Sequence, residues 1–256
     1  PETLMDRKLT DMEGDYRTIV DLLTDQIEFA NVIVINKVDL VNKKELSFLS
    51  NTIKKLNPSA KIIESTFSKI NPKEIIHTAM FDFEKAEQSA GWIEELNKEE
   101  HTPETEEYGI SSFVYRNKKP FDPIRFWNYI QNGFPLSIIR SKGLFWLSSR
   151  PDQALIWGQA GGSLKADSAG VWWSSMTFDR RIQQISFIEN QQQIESDWDI
   201  DFGDRKNEIV FIGEYMNEIL IKSLMDRCLS TDKELKTGQW EKGYEDDWPV
   251  ERAYPV

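Results

Sequence analysis

Cysteine and histidine are nearly missing from this chain of 256 residues, which has one of the former and two of the latter. A lone Cys228 excludes an intramolecular disulfide and fits a reducing compartment. His77 and His101 leave little material for a histidine-built metal site or a Ser-His-Asp triad. Positive charge is also short. Against 31 Lys and Arg stand 43 Asp and Glu, a net charge of −12, which argues against any broad DNA or RNA surface. No apolar run approaches the ~20 residues of a membrane helix, and no signal-peptide pattern opens the chain. What is present is 39% apolar residues, at a length that suggests about two domains and allows a substantial core. The expectation is a soluble, acidic, cytoplasmic two-domain protein with neither nucleic acid nor membrane as partner.

Tyr16, Ile19, Val20, Leu23 and Ile27 recur at helical spacing. Phe29–Ile35 then forms a short apolar run that does not alternate, which reads as a strand buried on both faces. Leu46, Leu49, Ile53 and Leu56 mark a second helix, stopped by Asn57-Pro58. Lys61–Glu64 is a second strand, and Pro72–Thr78 a short helix. This rhythm is that of a parallel α/β sheet. Two strands are too few for one, since sheets usually have about four to six. Residues 1–85 are therefore expected to be the trailing part of an α/β domain whose earlier strands are missing, a chain cut before Pro1; the alternative is that the second domain completes the sheet.

Residues 86–107 are glutamate-rich with little apolar periodicity and read as an acidic linker. Beyond them, strands are expected at 109–116, 136–148, 154–158, 171–174, 184–187 and 208–213. Asp122 caps a helix with Pro123 in its first turn. A last helix over 217–229 buries Leu220, Leu224 and Cys228. Residues 108–230 thus read as an α+β, mostly antiparallel domain, and 231–256 as an acidic tail.

The chemistry lies in Asn36-Lys37-Val38-Asp39, directly after the first strand, where ligands bind in open parallel sheets. A carboxylate at Asp39 can accept two hydrogen bonds from guanine, from N1–H and the exocyclic amine. Adenine lacks that amine and presents an acceptor at N1. A carboxylate left unsatisfied costs about 1–3 kcal/mol or more, so this geometry rejects adenine. Asn36 can touch the purine edge and brace neighbouring loops, while the Lys37 stem lies along the base plane. No G-x-x-x-x-G-K-[ST] loop cradles phosphates and no upstream Asp organises Mg²⁺, so the chain is expected to bind nucleotide weakly and not to hydrolyse GTP alone. Catalytic residues and metal ligands are accordingly not assigned.

LLTDQIEFANVIVINKVDLV resembles the helix, strand and base-recognition loop of the CobW family of metal-trafficking GTPases, relatives of the urease- and hydrogenase-maturation GTPases. The resemblance continues through LNPSAKIIEST, FDFEKAEQSAGWIEEL, HTPETEEYGISSFVYRNKKPFDPIRFW, RSKGLFWLSSRPDQALIWGQAGGSL and NEIVFIGEYMNEILIKSLMDRCL, roughly residues 15 to 250. It implies an incomplete α/β remnant of a P-loop GTPase parallel sheet (1–85), the linker, and an α+β CobW C-terminal-type domain (108–230). It also implies GTP or GDP with Mg²⁺ in the full-length protein, zinc or cobalt as cargo, and a metal-requiring client protein as partner. Ser65 and Thr66 match where the family's second guanine loop falls. The phosphate loop and the family's C-x-C-C metal motif are not in this sequence.

Other candidates have simpler readings. His101 among its glutamates reads as a solvated segment, and Cys228 as a packed core thiol. Trp146, Trp157, Trp172 and Trp173 read as sheet core or a protein-contact surface rather than a base-stacking platform. Arg140, Lys142 and Arg150 flank one hairpin as a small candidate docking patch. Two functions remain: the C-terminal portion of a GTP-dependent metallochaperone, or a non-catalytic protein-interaction module derived from one.

Overall fold

In a computed structural model, residues 18–82, 91–97 and 109–254 are described. The Thr18 hydroxyl oxygen accepts the Asp21 amide proton at 3.2 Å and the Asp21 carboxylate accepts the Thr18 N–H in return, a reciprocal cap that opens helix α1 (Ile19–Phe29). Strand β1 (Val32–Ile35) follows, then helix α2 (Lys43–Leu56) and strand β2 (Lys61–Glu64). β1 and β2 pair in parallel, Val32 opposite Lys61 and Ile35 opposite Glu64. Asn57 ends α2 and donates from its side chain to the carbonyls of Ile27 and Ala30, each at 2.8 Å. The C-terminal ends of both helices are thereby tied together.

Three expectations for this segment change. Phe29 belongs to α1, so the strand starts at Val32. β1 is not buried on both faces, since Val34 is 37% exposed; among the described residues its one strand neighbour is β2. The helix expected over 72–78 is a single 3-10 turn at Pro72–Glu74. Tyr16 lies outside the described residues. So does His101, although the stretch read as a linker contains a helix, α3 (Gly91–Asn97).

The second sheet has five strands: β3 (Ile110–Asn117), β4 (Ile138–Phe145), β5 (Gln153–Ala160), β6 (Ser163–Val171) and β7 (Asn207–Glu214). They run in the order β3-β7-β4-β5-β6 with every pair antiparallel. Alternation along β7 assigns its two faces. Ile209 and Phe211 join the larger core with Phe113, Phe126, Phe145 and Trp157, under α4 (Pro123–Asn132) and α7 (Glu218–Arg227). Val210 and Ile212 join Val114 on the opposite face, where Leu56 of α2 and Trp92 and Leu96 of α3 pack. The first segment's helices therefore cover the second sheet. Its strands stay apart as a separate two-stranded sheet, so the second domain does not complete the first one's.

Of the strand expected at 171–174 only Val171 is in a strand, as the last residue of β6, and no strand occupies 184–187. Trp173–Ser175 is a 3-10 turn, followed by helices α5 (Phe178–Arg181) and α6 (Ile185–Ser196). Of the apolar cluster Ile185, Phe187 and Ile188, only Phe187 is buried. Along α7 the buried residues are Ile221 and Met225, with Cys228 after them; Leu220 is exposed and Leu224 partly buried. The described part of the acidic C-terminal stretch, 231–254, folds back through α8 (Asp232–Leu235) and α9 (Gln239–Lys242). Trp248 enters the larger core, and its indole N–H donates to the Pro123 carbonyl at 3.0 Å.

Candidate functional site

The end of β1 runs directly into the Asn36–Asp39 loop, and the end of β2 into Ser65–Ser68. Parallel pairing puts both loops at the same sheet edge. The Ser65 N–H donates to the Ile35 carbonyl at 2.9 Å, and the Val38 N–H donates to the Ser65 carbonyl at 3.2 Å. Asn36 completes the junction: its Oδ1 accepts the Ser68 N–H and its Nδ2 donates to the Ser68 Oγ, both at 3.0 Å. Asn36 is thus a clamp between the loops. Lys37 takes a left-handed conformation, φ 62°, as the chain turns into a 3-10 helix over Val38–Leu40.

The structure brings all five sequence-derived candidates together. Asn36, Lys37 and Asp39 are exposed, Ser65 is buried and Thr66 half-buried. The Asp39 carboxylate and the Lys37 amine make no hydrogen bond or ion pair among the described residues, so both are available to a ligand. The Ser65 hydroxyl is buried without a partner. Two neighbours escaped notice in the sequence: Ser68, which holds Asn36, and Phe67, which sits 80% exposed between the two anchored positions. Ser and Phe in a polar loop carry no pattern; only the fold shows that Ser68 meets Asn36 and that Phe67 stands exposed beside it in the chain.

Away from this edge, the basic residues of the hairpin turn inward and form no docking patch. Arg140 is buried against Glu28 of α1, with Nε and Nη2 donating to its two carboxylate oxygens at 2.7 and 3.0 Å. Arg150 is buried against Asp246, Nη2 to Oδ1 at 2.6 Å. Lys142 lies half-buried with its amine 4.8 Å from the centre of the Trp92 ring; burial lowers its pKa. None of the three offers a free cation to a docking partner. Each was placed by the need to neutralise a carboxylate or cover an aromatic ring inside the fold. Asp122 is a helix cap, its Oδ1 accepting the Arg125 N–H at 2.8 Å. Trp146, Trp157 and Trp172 are buried. Among the described residues no group of three His, Cys, Asp or Glu side chains could hold a metal ion, and no helix is long and apolar enough to cross a membrane.

A parallel strand pair carrying an N-K-x-D loop, packed through its helices on an antiparallel sheet, defines an α/β segment joined to an α+β unit. Residues 3–64 match the CobW/HypB/UreG nucleotide-binding domain, and residues 110–229 the cobalamin synthesis protein cobW C-terminal domain. The chain belongs to the CobW family. It is 40% identical over 241 residues to a zinc-regulated GTPase metalloprotein activator of Dictyostelium discoideum, covering 93% of this chain and 50% of that protein. It is 25% identical over 144 residues to a zinc chaperone of Mycobacterium tuberculosis, covering 54% of this chain and 35% of that one. The chain thus spans half or less of these relatives. The Zn(II)-bound YjiA GTPase from E. coli aligns over 81% of this chain and 54% of that chain with 17% identity and a TM-score of 0.38, a likeness too loose to add to the assignment.

Proposed function

We propose that this chain contributes the guanine-recognition part and the C-terminal domain of a GTP-dependent metallochaperone that delivers zinc or a related metal, such as cobalt, to a client protein. The observation that carries this reading is the clamped loop pair. Asn36 ties the Asn36–Asp39 loop to Ser65–Ser68, leaving the Asp39 carboxylate and the Lys37 amine open at the strand ends. In this reading Asp39 takes guanine N1–H and the exocyclic amine, Lys37 lies along the base, and the Ser65–Thr66 loop closes its edge. The zinc named for both relatives supports the cargo. Phosphate and Mg²⁺ binding and GTP hydrolysis belong to residues other than those described, as does the holding of the metal. The domain division into 1–85, 86–107, 108–230 and 231–256, and client selection by the antiparallel domain, are part of the same proposal.

The test is a titration of the chain with guanosine, GDP and adenosine, beside Asp39→Asn. Guanosine should bind at least about five-fold more tightly than adenosine, as expected when one ligand leaves a carboxylate unpaired. Asp39→Asn should abolish that preference. Equal binding of both nucleosides, or none, would sink the assignment of this loop to guanine.

A further inference from the structure

Phe67 and, in the 3-10 turn, Leu40 are the large apolar side chains exposed on the two clamped loops among the described residues. The Phe67 ring is 80% exposed, yet its backbone is not loose. On one side the Ser65 backbone is bonded to Ile35 and Val38; on the other Ser68 is bonded twice to Asn36. Phe67 and Ser68 both hold positive φ, 53° and 54°, a conformation that is strained for residues other than glycine and persists only where surroundings enforce it. The fold therefore anchors the backbone on both sides of an exposed aromatic residue, one position from the Asn36 clamp. A purine gripped along its edge by Asp39 has two flat faces. The Lys37 stem can cover one, and an aromatic ring is the side chain best suited to the other, because every base presents a π-face.

Resting on the guanine assignment above, we infer that Phe67 is an affinity-determining residue of the purine site, its ring stacking on the base that Asp39 holds. Stacking does not choose between purines, so Phe67 sets how tightly a base is held while Asp39 sets which base. The other exposed apolar groups nearby do not compete for this role. Leu40 lacks a π-face, and Met80 and Phe81 follow a different connection, where the Asn31 side chain donates to the Met80 carbonyl at 3.3 Å.

The experiment uses the chain with ¹³C-labelled phenylalanine rings and guanosine as the probe. The Phe67 signal is identified by its absence in Phe67→Leu. In the unaltered chain, guanosine should move that signal upfield, and in Asp39→Asn the same movement should need more guanosine and no longer distinguish it from adenosine. Phe67→Leu should weaken guanosine and adenosine alike by about five-fold or more and leave the melting temperature unchanged, because the ring is exposed. Phe67→Trp should restore the affinity. A Phe67 signal that stays still while guanosine binds through Asp39 overturns the stacking and leaves the guanine assignment standing. No guanosine-dependent change anywhere overturns both.

Discussion

Glu234 shows how a single side chain can be tuned without being buried. It sits at the start of α8, receives two hydrogen bonds from the Arg125 guanidinium at 3.0 and 2.7 Å, and accepts the Thr231 N–H at 2.7 Å. Arg125 first, then the backbone of Thr231, pull its pKa down from 4.5 to about 2. A depressed carboxylate contributes stability that is present above its unfolded pKa and lost as pH falls toward the folded one. The contribution of the α8–α4 contact should therefore be full above about pH 4.5 and be lost progressively as pH falls to about 2. An NMR titration of the Glu234 carboxyl should give its midpoint near 2 in the folded chain, and Arg125→Met should return it toward 4.5. An unaltered midpoint in Arg125→Met would mean that the guanidinium is not the cause. None of this shows in the sequence, because residues 125 and 234 meet only through the packing of α8 on α4. Local features fared better. The Asp122 cap is visible in the sequence because it depends on neighbours within a few positions, and the packed Cys228 because a thiol among apolar residues is usually core; burial does push the Cys228 thiol up, to about 11.

At the scale of elements, the helix that follows the candidate site depends on one cap. The Asn42 side-chain oxygen accepts the N–H groups of Lys44 and Glu45, each at 3.0 Å, and the Glu45 carboxylate accepts the Asn42 N–H at 2.9 Å. Asn42→Ala should cost about 1 kcal/mol of stability, read as a lower midpoint in urea with an unchanged slope. An unchanged midpoint would mean that α2 is held by Ile53, Leu56 and Asn57 alone. The elements were legible where sequence pattern and burial agree. α2 shows a clean apolar stripe, and β7 is apolar on both faces because helices lie on both. β6 was missed for the opposite reason. It is an edge strand, largely exposed, whose Lys165, Asp167, Ser168 and Gly170 give no alternation to read. α6 was misread as a strand because Ile185, Phe187 and Ile188 look like a buried run, while the fold buries only Phe187. The candidate site was partly legible for the same kind of reason: Asn36, Lys37 and Asp39 are contiguous in the chain, whereas Phe67 and Ser68 join them only through strand pairing.

For the whole molecule, the decisive contact is the one between α1 and β4. Glu28 is fully buried and Arg140 nearly so, 0% and 4% exposed at their side chains. They are joined by two charge-assisted hydrogen bonds, and Asp25 lies 3.6 Å from the same guanidinium. Apolar packing of α2 and α3 on the antiparallel sheet would tolerate small slides, because dispersion is weakly directional. A forked guanidinium on a carboxylate does not. The pair therefore sets the register of α1 on the sheet, and α1 leads within three residues into β1 and the Asn36–Asp39 loop. Burying two charges is expensive, and a buried pair adds little net stability over apolar residues of similar size, whereas removing one partner strands the other and costs about 3–5 kcal/mol. Arg140→Met and Glu28→Leu should each be strongly destabilising in urea, and the double variant should recover most of the loss. Recovery of stability need not bring recovery of register. If the pair positions the helix, the double variant should fold yet show altered amide signals in the Asn36–Asp39 loop. Single variants as stable as the parent would mean that neither charge is truly confined. A double variant with parental loop signals would mean that α2 and α3 alone fix where the guanine-recognition edge stands.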